Sequence, residues 1–346
     1  MTPPSQQMGR LLRGISLAHA GRFLDSRQMS GPRAVEIDAQ YRQLREECGL
    51  VEEPDRGLLV ISGPEAAEYL QGQLTNDIEA LEAGDATYAA LLDRKGHMQA
   101  DMRVLRPGEA PQLLLDLEPA GLEAARRHLG MYKIGREVEV SDESEAHTLL
   151  SLIGPRAVEI AGTAALPENA CETTTIAGAQ GVAVGTAAGI DLIFAAANRE
   201  PVREALLGAG AVEVSAEAAE IVRIEAGQPR FGAEMGTETM PAEAGIVERA
   251  VSFTKGCYIG QETVARLHYK GKPNRHLRGL RFSGSVQRGE ALRLGEKEVG
   301  TVGSAALSPA LGPIGLAIVR REAEPGTTLA VGEDGVTAEV VALPFG

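Results

Sequence analysis

The sequence predicts an α+β chain of two α/β lobes followed by a small β-barrel or sandwich, and three observations carry that reading. Leu58–Glu68 and Leu149–Glu159 share one pattern: an apolar run, a Gly-Pro pair and a helix-forming segment. Each reads as a strand, a glycine turn, and a helix opened by proline, whose missing N–H costs nothing at the first helical position. Between them, Ala86–Leu92 and His97–Leu105 are strand-like runs joined by Asp93-Arg94-Lys95-Gly96, a plausible hairpin turn. From about His276 the texture changes to short apolar runs broken by Gly and Pro, as at Leu277–Phe282, Ala291–Leu294, Ile314–Val319 and Thr337–Leu343.

Further elements follow in order. Pro119–Leu129 reads as a helix and Arg136–Val140 as a strand, with helices again at Glu200–Leu207 and Ala216–Ala226. Ser215 is placed to cap the last of these, and Gly227 lies just past its end. The expected division is a flexible leader over 1–33, a first α+β lobe over 34–145 that binds the ligand, a second over 146–275, and the barrel over 276–346. Interleaving of the two lobes is allowed by this pattern.

At 346 residues the chain is long enough for two or three domains with substantial cores. Apolar residues make up 44% and charged ones 24%, the balance of a soluble globular protein. No apolar run approaches the roughly 20 residues that span a bilayer, and Arg10, Arg13, Arg22 and Arg27 are not followed by the apolar core of a secretory signal. A cytoplasmic location is the expectation. A net charge of −14 disfavours generic attraction to nucleic acid or anionic membrane. Cys48, Cys171 and Cys257 are odd in number and widely spaced, so neither a disulfide framework nor a metal site is expected, and one chain cannot supply four thiolates to a cluster.

Four places could carry chemistry. Glu225 shares the face of Ala218, Ile221 and Val222 at i, i+3, i+4 and i+7, so its carboxylate lies with the core stripe. It also stands in the last helical turn, where the helix dipole disfavours negative charge. Either a cation such as Arg223 or Arg230 compensates it, or a ligand offering two adjacent N–H donors does, as a pterin ring would. The second place is Lys255–Glu262, where two glycines bracket Cys257; Lys255 would lower the thiol's pKa if the side chains meet, and an inert core thiol is the bland alternative. Third, Met98, Ala100, Met102 and Val104 alternate with His97, Gln99, Asp101 and Arg103, which gathers the polar four on one strand face. There Asp101 could orient or deprotonate an amine, or simply pair with Arg103. Last, His268–Arg281 concentrates Lys270, Lys272, Arg275, Arg278 and Arg281, either a solvated loop or a seat for an anionic tail.

Lys255-Gly256-Cys257-Tyr258-Ile259-Gly260-Gln261-Glu262 resembles the long signature of the YgfZ family, within the superfamily of the glycine-cleavage T-protein. Leu70–Asp77 resembles that family's upstream element, and Arg223–Gly232, with Pro241 and Glu243, resembles the segment shared with the aminomethyltransferases. The likeness runs from about residue 35 to 345. It implies a ring of three domains around a central opening with tetrahydrofolate, or a derivative, bound inside. By resemblance the pterin-holding glutamate is Glu225; cofactor contacts fall on Arg223, Arg230, Lys255, Tyr258 and Gln261, and catalytic roles on Cys257 and Asp101. The T-protein's Gly-Gly-x-x-Asp-Asp element corresponds to Gly96–Asp101, with His97 and Ala100 as departures. The resemblance implies a folate-binding accessory protein for assembly or repair of iron–sulfur proteins, tRNA-modifying enzymes included. Its partners would be folate and those client or assembly proteins, without membrane or direct nucleic-acid binding. The alternative is a folate-dependent aminomethyltransferase of the T-protein type.

Overall fold

The computed structural model describes residues 32–345; the leader expected over 1–33 falls, but for its last two residues, outside them. Helix α1 (Pro32–Glu46) leads into β1 (Gly49–Glu52), β2 (Gly57–Ser62), α2 (Ala66–Gln73), β3 (Asp85–Leu92), β4 (Met98–Arg106), β5 (Gln112–Leu117), α3 (Pro119–Tyr132) and β6 (Glu139–Asp142). Strands β3-β4-β5-β2-β6 form an antiparallel five-stranded sheet. The hairpin read from residues 86–105 closes through Asp93 N–H to His97 O at 2.8 Å, with Gly96 at φ +85°. Leu59, Ile61, Leu91, Met102, Leu115 and the inner faces of α2 and α3 pack as its core.

The chain continues through β7 (His147–Ile153), α4 (Ala157–Ala161), β8 (Cys171–Ile176), β9 (Ala179–Thr186), β10 (Gly189–Ala195), α5 (Arg199–Gly208), β11 (Val212–Glu213) and α6 (Ala216–Glu225). The second sheet is ordered β11-β1-β7-β10-β9-β8, so β1 crosses over from the N-terminal side of the first sheet to pair with β7 and β11. The two repeated segments are the β2–α2 and β7–α4 units, one in each sheet. In both, the glycine (Gly63 at φ +116°, Gly154 at φ +131°) sits where a Cβ would strike a backbone oxygen, of Glu137 at 2.2 Å and Glu47 at 2.4 Å respectively. In both, a turn from the glycine carbonyl to the third residue on takes up the proline, so each helix begins two residues later than the proline suggests.

Beyond lie α7 (Val247–Ala250), α8 (Gln261–Lys270), β12 (Arg275–Phe282), β13 (Ala291–Leu294), β14 (Lys297–Thr301), β15 (Ser304–Ser308), β16 (Gly312–Arg320), β17 (Thr328–Val331) and β18 (Val336–Val341). The last seven form one sheet, β14-β13-β17-β18-β12-β16-β15, curled around Leu280, Leu292, Val319, Leu329 and Val340. The curl brings Gly300 of β14 so near β16 that a Cβ would lie 2.8 Å from the Ile318 carbonyl oxygen. The fold class is thus α+β, with two sheet-and-helix lobes and a C-terminal barrel. Among the described residues no helix is long and apolar enough to cross a membrane.

Candidate active-site cavity between the lobes

Antiparallel register builds the first wall. Tyr88 of β3 lies opposite Arg103 of β4, which lies opposite Asp116 of β5, while Asp101 lies opposite Ala90. Cross-strand partners share a face, so Tyr88, Asp101, Arg103 and Asp116 project together. A bulge between Leu91 and Leu92 interrupts the alternation at Gln99, and His97 and Gln99 do not join them. The opposite wall comes from Leu149, Ser151, Gly185–Gly189 and Asp191 of the second sheet, and α6 with Gln228–Arg230 supplies another. The space between is a cavity of about 690 Å³.

Charge pairing organises this wall. Arg56 grips Asp116 with Nε to Oδ1 at 2.7 Å and Nη2 to Oδ2 at 3.1 Å, and also donates to Glu118. Arg103 reaches Asp116 and Asp191 at 2.6 Å each, bridging the two sheets. Burial alone would raise the Asp116 carboxyl, but Arg103 and Arg56 bring it down to about 2. Of the alternatives open for Asp101, the pair with Arg103 does not form. Asp101 Oδ2 instead accepts the Tyr88 hydroxyl at 2.5 Å, and Arg249 lies over the Tyr88 ring at 5.3 Å.

Asp101 Oδ1 is buried without any hydrogen-bond partner, which is rare for a carboxylate oxygen in a folded chain. Burial raises the Asp101 carboxyl to about 6, against the hydrogen bond from Tyr88 and the charge of Arg56. A carboxyl tuned to that range exchanges a proton readily near neutrality.

The other predicted residues divide sharply. Arg223 and Arg230 line the cavity. Arg223 is consumed by Glu220 at 2.6 Å, Glu234 at 3.2 Å and Ser304 at 2.7 Å, whereas Arg230 makes only long pairs, 3.5 Å to Glu118 and 3.4 Å to Glu220. Glu225 is not among the residues that line this cavity. Its carboxylate accepts the Tyr41 hydroxyl at 3.1 Å and the Ser308 hydroxyl, with Arg45 at 4.0 Å, in a seam between α1, α6 and β15. Neither compensating arginine named from the sequence is its partner, because the seam is built from elements far along the chain.

The Lys255–Glu262 segment also lies outside the cavity lining. Lys255 Nζ donates to the carbonyls of Gln71 at 2.5 Å, Leu74 at 2.6 Å and Asn76 at 2.9 Å. That fastens the two recognised motifs together. Burial pushes Lys255 down to about 8. Tyr258 stacks under this ammonium at 5.1 Å and is buried beside Ala90, Leu92 and Met98, with its hydroxyl unpartnered. Gly260, at φ +86°, seats the turn against the β3–β4 hairpin and ends at Gln261, the first residue of α8. Cys257 is exposed, while Cys48 and Cys171 are buried and pushed up to about 11 by burial. In the basic stretch, His268 stacks on Phe253 at 4.0 Å and Arg275 pairs with Glu243 at 2.8 Å. No cluster of three or more His, Cys, Asp or Glu able to hold a metal occurs among the described residues.

Sequence reasoning missed Tyr88, Arg56, Asp116, Asp191 and Glu53. The first and third were within reach: extending the hairpin's pairing one strand either way places them beside Arg103. Asp191 was not, since its sheet meets the first only in three dimensions.

A cleft lined by carboxylates thus lies between two lobes, with a barrel beyond. The chain matches the GCVT N-terminal domain over residues 15–255 and the glycine cleavage T-protein C-terminal barrel domain over 275–345, and it belongs to the glycine-cleavage T-protein family. It is 31% identical over 322 residues to an aminomethyltransferase of Rubrobacter xylanophilus, covering 89% of this chain and 86% of that protein. An aminomethyltransferase of Saccharopolyspora erythraea is also 31% identical, over 333 residues and 89% of each chain. The crystal structure of glycine cleavage system aminomethyltransferase T from Bartonella henselae shares the fold, with a TM-score of 0.79 at 22% identity over 90% of this chain and 89% of that one.

Proposed function

We propose that the chain binds a reduced folate in the cavity between its lobes and acts as a folate-dependent aminomethyltransferase. The observation that carries this is Asp101, a carboxyl in the lining of that cavity, raised by burial to about 6, with one oxygen that has no hydrogen-bond partner. Relatives named aminomethyltransferase, aligned over most of both chains, support it.

The residues present fit such a ligand. A volume of about 690 Å³ lies within the usual range for small-molecule sites, roughly 300–1,000 Å³. A bound reduced folate supplies a carrier for a one-carbon unit. Asp101 would hold or take the proton of an amine at its free Oδ1, with Tyr88 fixing the other oxygen. Arg230 and Arg45, whose ion pairs are long, are the cations available to glutamate carboxylates of a folate tail. A single-turnover assay with an aminomethyl-lipoyl carrier and tetrahydrofolate tests the reading. Transfer that fails in the wild type while folate still binds would remove the enzymatic half.

A second reading has its own observation. Cys257 is exposed on the turn that resembles the YgfZ signature, outside the cavity. That arrangement suits a folate-binding accessory protein whose thiol serves iron–sulfur proteins, tRNA-modifying enzymes among them. Complementation of a YgfZ-deficient strain by wild type and not by Cys257→Ala would favour it, and rescue by the variant would make the thiol dispensable.

A further inference from the structure

Helix α8 carries Thr263, Arg266, Leu267 and Lys270 at i, i+3, i+4 and i+7, and this face lines a second cavity, of about 340 Å³. Val264, the buried residue of α8, is off that face and packs with Tyr258 and Met98. Gly271 ends the helix with its N–H on the Leu267 carbonyl at 3.1 Å, and the residues that follow, Lys272, Pro273 and Asn274, line the same cavity. It shares no residue with the cavity between the lobes.

Charge here is unbalanced. Glu243, the one acid of the lining, is saturated: Arg275 grips its two oxygens at 2.9 and 2.8 Å, and Met240 N–H adds a third hydrogen bond at 3.0 Å. Among the described residues no hydrogen bond or ion pair engages Arg266, Lys270 or Lys272, nor the Thr263 hydroxyl or the Asn274 amide. In a chain of net charge −14 this is a local surplus of cations. The α8 dipole accounts for part of it at Lys270, but a helix end carries only about half a charge, against three full ones.

Like charges gathered on one concavity repel, and a ligand with opposite charge and several acceptors relieves them. A phosphoryl group has both, with three oxygens and a charge of about −1.5 to −2 near neutral pH. The guanidinium fork of Arg266 matches two such oxygens, and lysines serve as point charges. Met240, Leu267 and Pro273 leave an apolar side for an organic body. We propose that this cavity binds a small phosphorylated ligand, with Arg266, Lys270 and Lys272 as its anion contacts. The site stands apart from the folate reading and survives that reading's failure.

Calorimetry on the full chain at physiological salt tests it, with inorganic phosphate, glycerol 3-phosphate and a tetraglutamate peptide as titrants. Saturable binding of a phosphate compound is expected. Tighter binding of the ester assigns the site to phosphate monoesters, and tighter binding of inorganic phosphate assigns it to the free ion. Arg266→Gln is expected to weaken that binding at least tenfold, and Lys270→Gln and Lys272→Gln about threefold each. All three side chains are exposed, so thermal melts of the variants should match the wild type. Lys297→Gln removes a cation from the barrel, where it pairs with Glu322, and is expected to change affinity less than twofold. A loss there equal to that in Arg266→Gln would make net charge the cause and overturn the site. Unchanged affinity in Arg266→Gln overturns it as well, as does a wild type that binds neither phosphate compound at millimolar concentration. Binding of tetraglutamate alone would overturn it in favour of an acidic peptide.

Discussion

Asp101 and Glu225 are equally inaccessible, each 8% exposed, yet the regions that hold them differ in kind. Glu225 sits in a seam where two hydroxyls, from α1 and β15, meet its two oxygens. Asp101 sits on a sheet face in the lining of a cavity, where one hydroxyl meets one oxygen and the other oxygen is buried without a partner. Burial alone therefore does not mark a site. A satisfied buried carboxylate is a strut; an unsatisfied one beside open volume awaits something.

The comparison breaks most clearly on catalysis. Asp101→Asn is expected to slow single-turnover aminomethyl transfer by about 10³-fold, the scale of losing a general acid–base group, with a much smaller change in folate affinity. A retained rate would move the chemistry out of the cavity. Next comes Lys255→Met, which leaves three carbonyls without their shared donor; urea unfolding should show a loss of about 3 kcal/mol with the slope unchanged.

Stability against pH sharpens the Asp101 side. Its folded-state pKa of about 6 lies above the ordinary 3.8, so the wild type is favoured where the group is protonated and loses that advantage as pH rises through 6. Asp101→Asn does not titrate. Its stability relative to wild type should therefore climb by about 2–3 kcal/mol between pH 4 and 7 and then level off, as read from melts across that range. On the other side, Glu225→Gln should cost about 1 kcal/mol of stability and alter folate affinity less than twofold. A tenfold loss of affinity would restore it to the binding site. The smallest effect is expected at Cys257→Ala, within about 0.5 kcal/mol by the same unfolding measurement, because the thiol is exposed.

What was legible in the sequence follows from the range of the forces involved. Alternation along β4 placed Asp101 and Arg103 on one face, and helical spacing placed Glu225 against the core, since both are local periodicities. Neither says what covers that face. For Glu225 the cover is Tyr41 and Ser308, 184 and 83 residues away, and for Lys255 it is a loop some 180 residues upstream. The apolar runs of β12, β13, β16 and β18 announced themselves, β15 and β17 were not read, and β14, Lys297–Thr301, mixes charge, glycine and a single buried valine.

Arg103 holds one carboxylate on each sheet. Pulling the lobes apart would take the guanidinium from Asp191, while Asp116 would keep both Arg103 and Arg56 on its own sheet. Any widening of the cleft between the two sheets therefore has to break the Arg103–Asp191 pair.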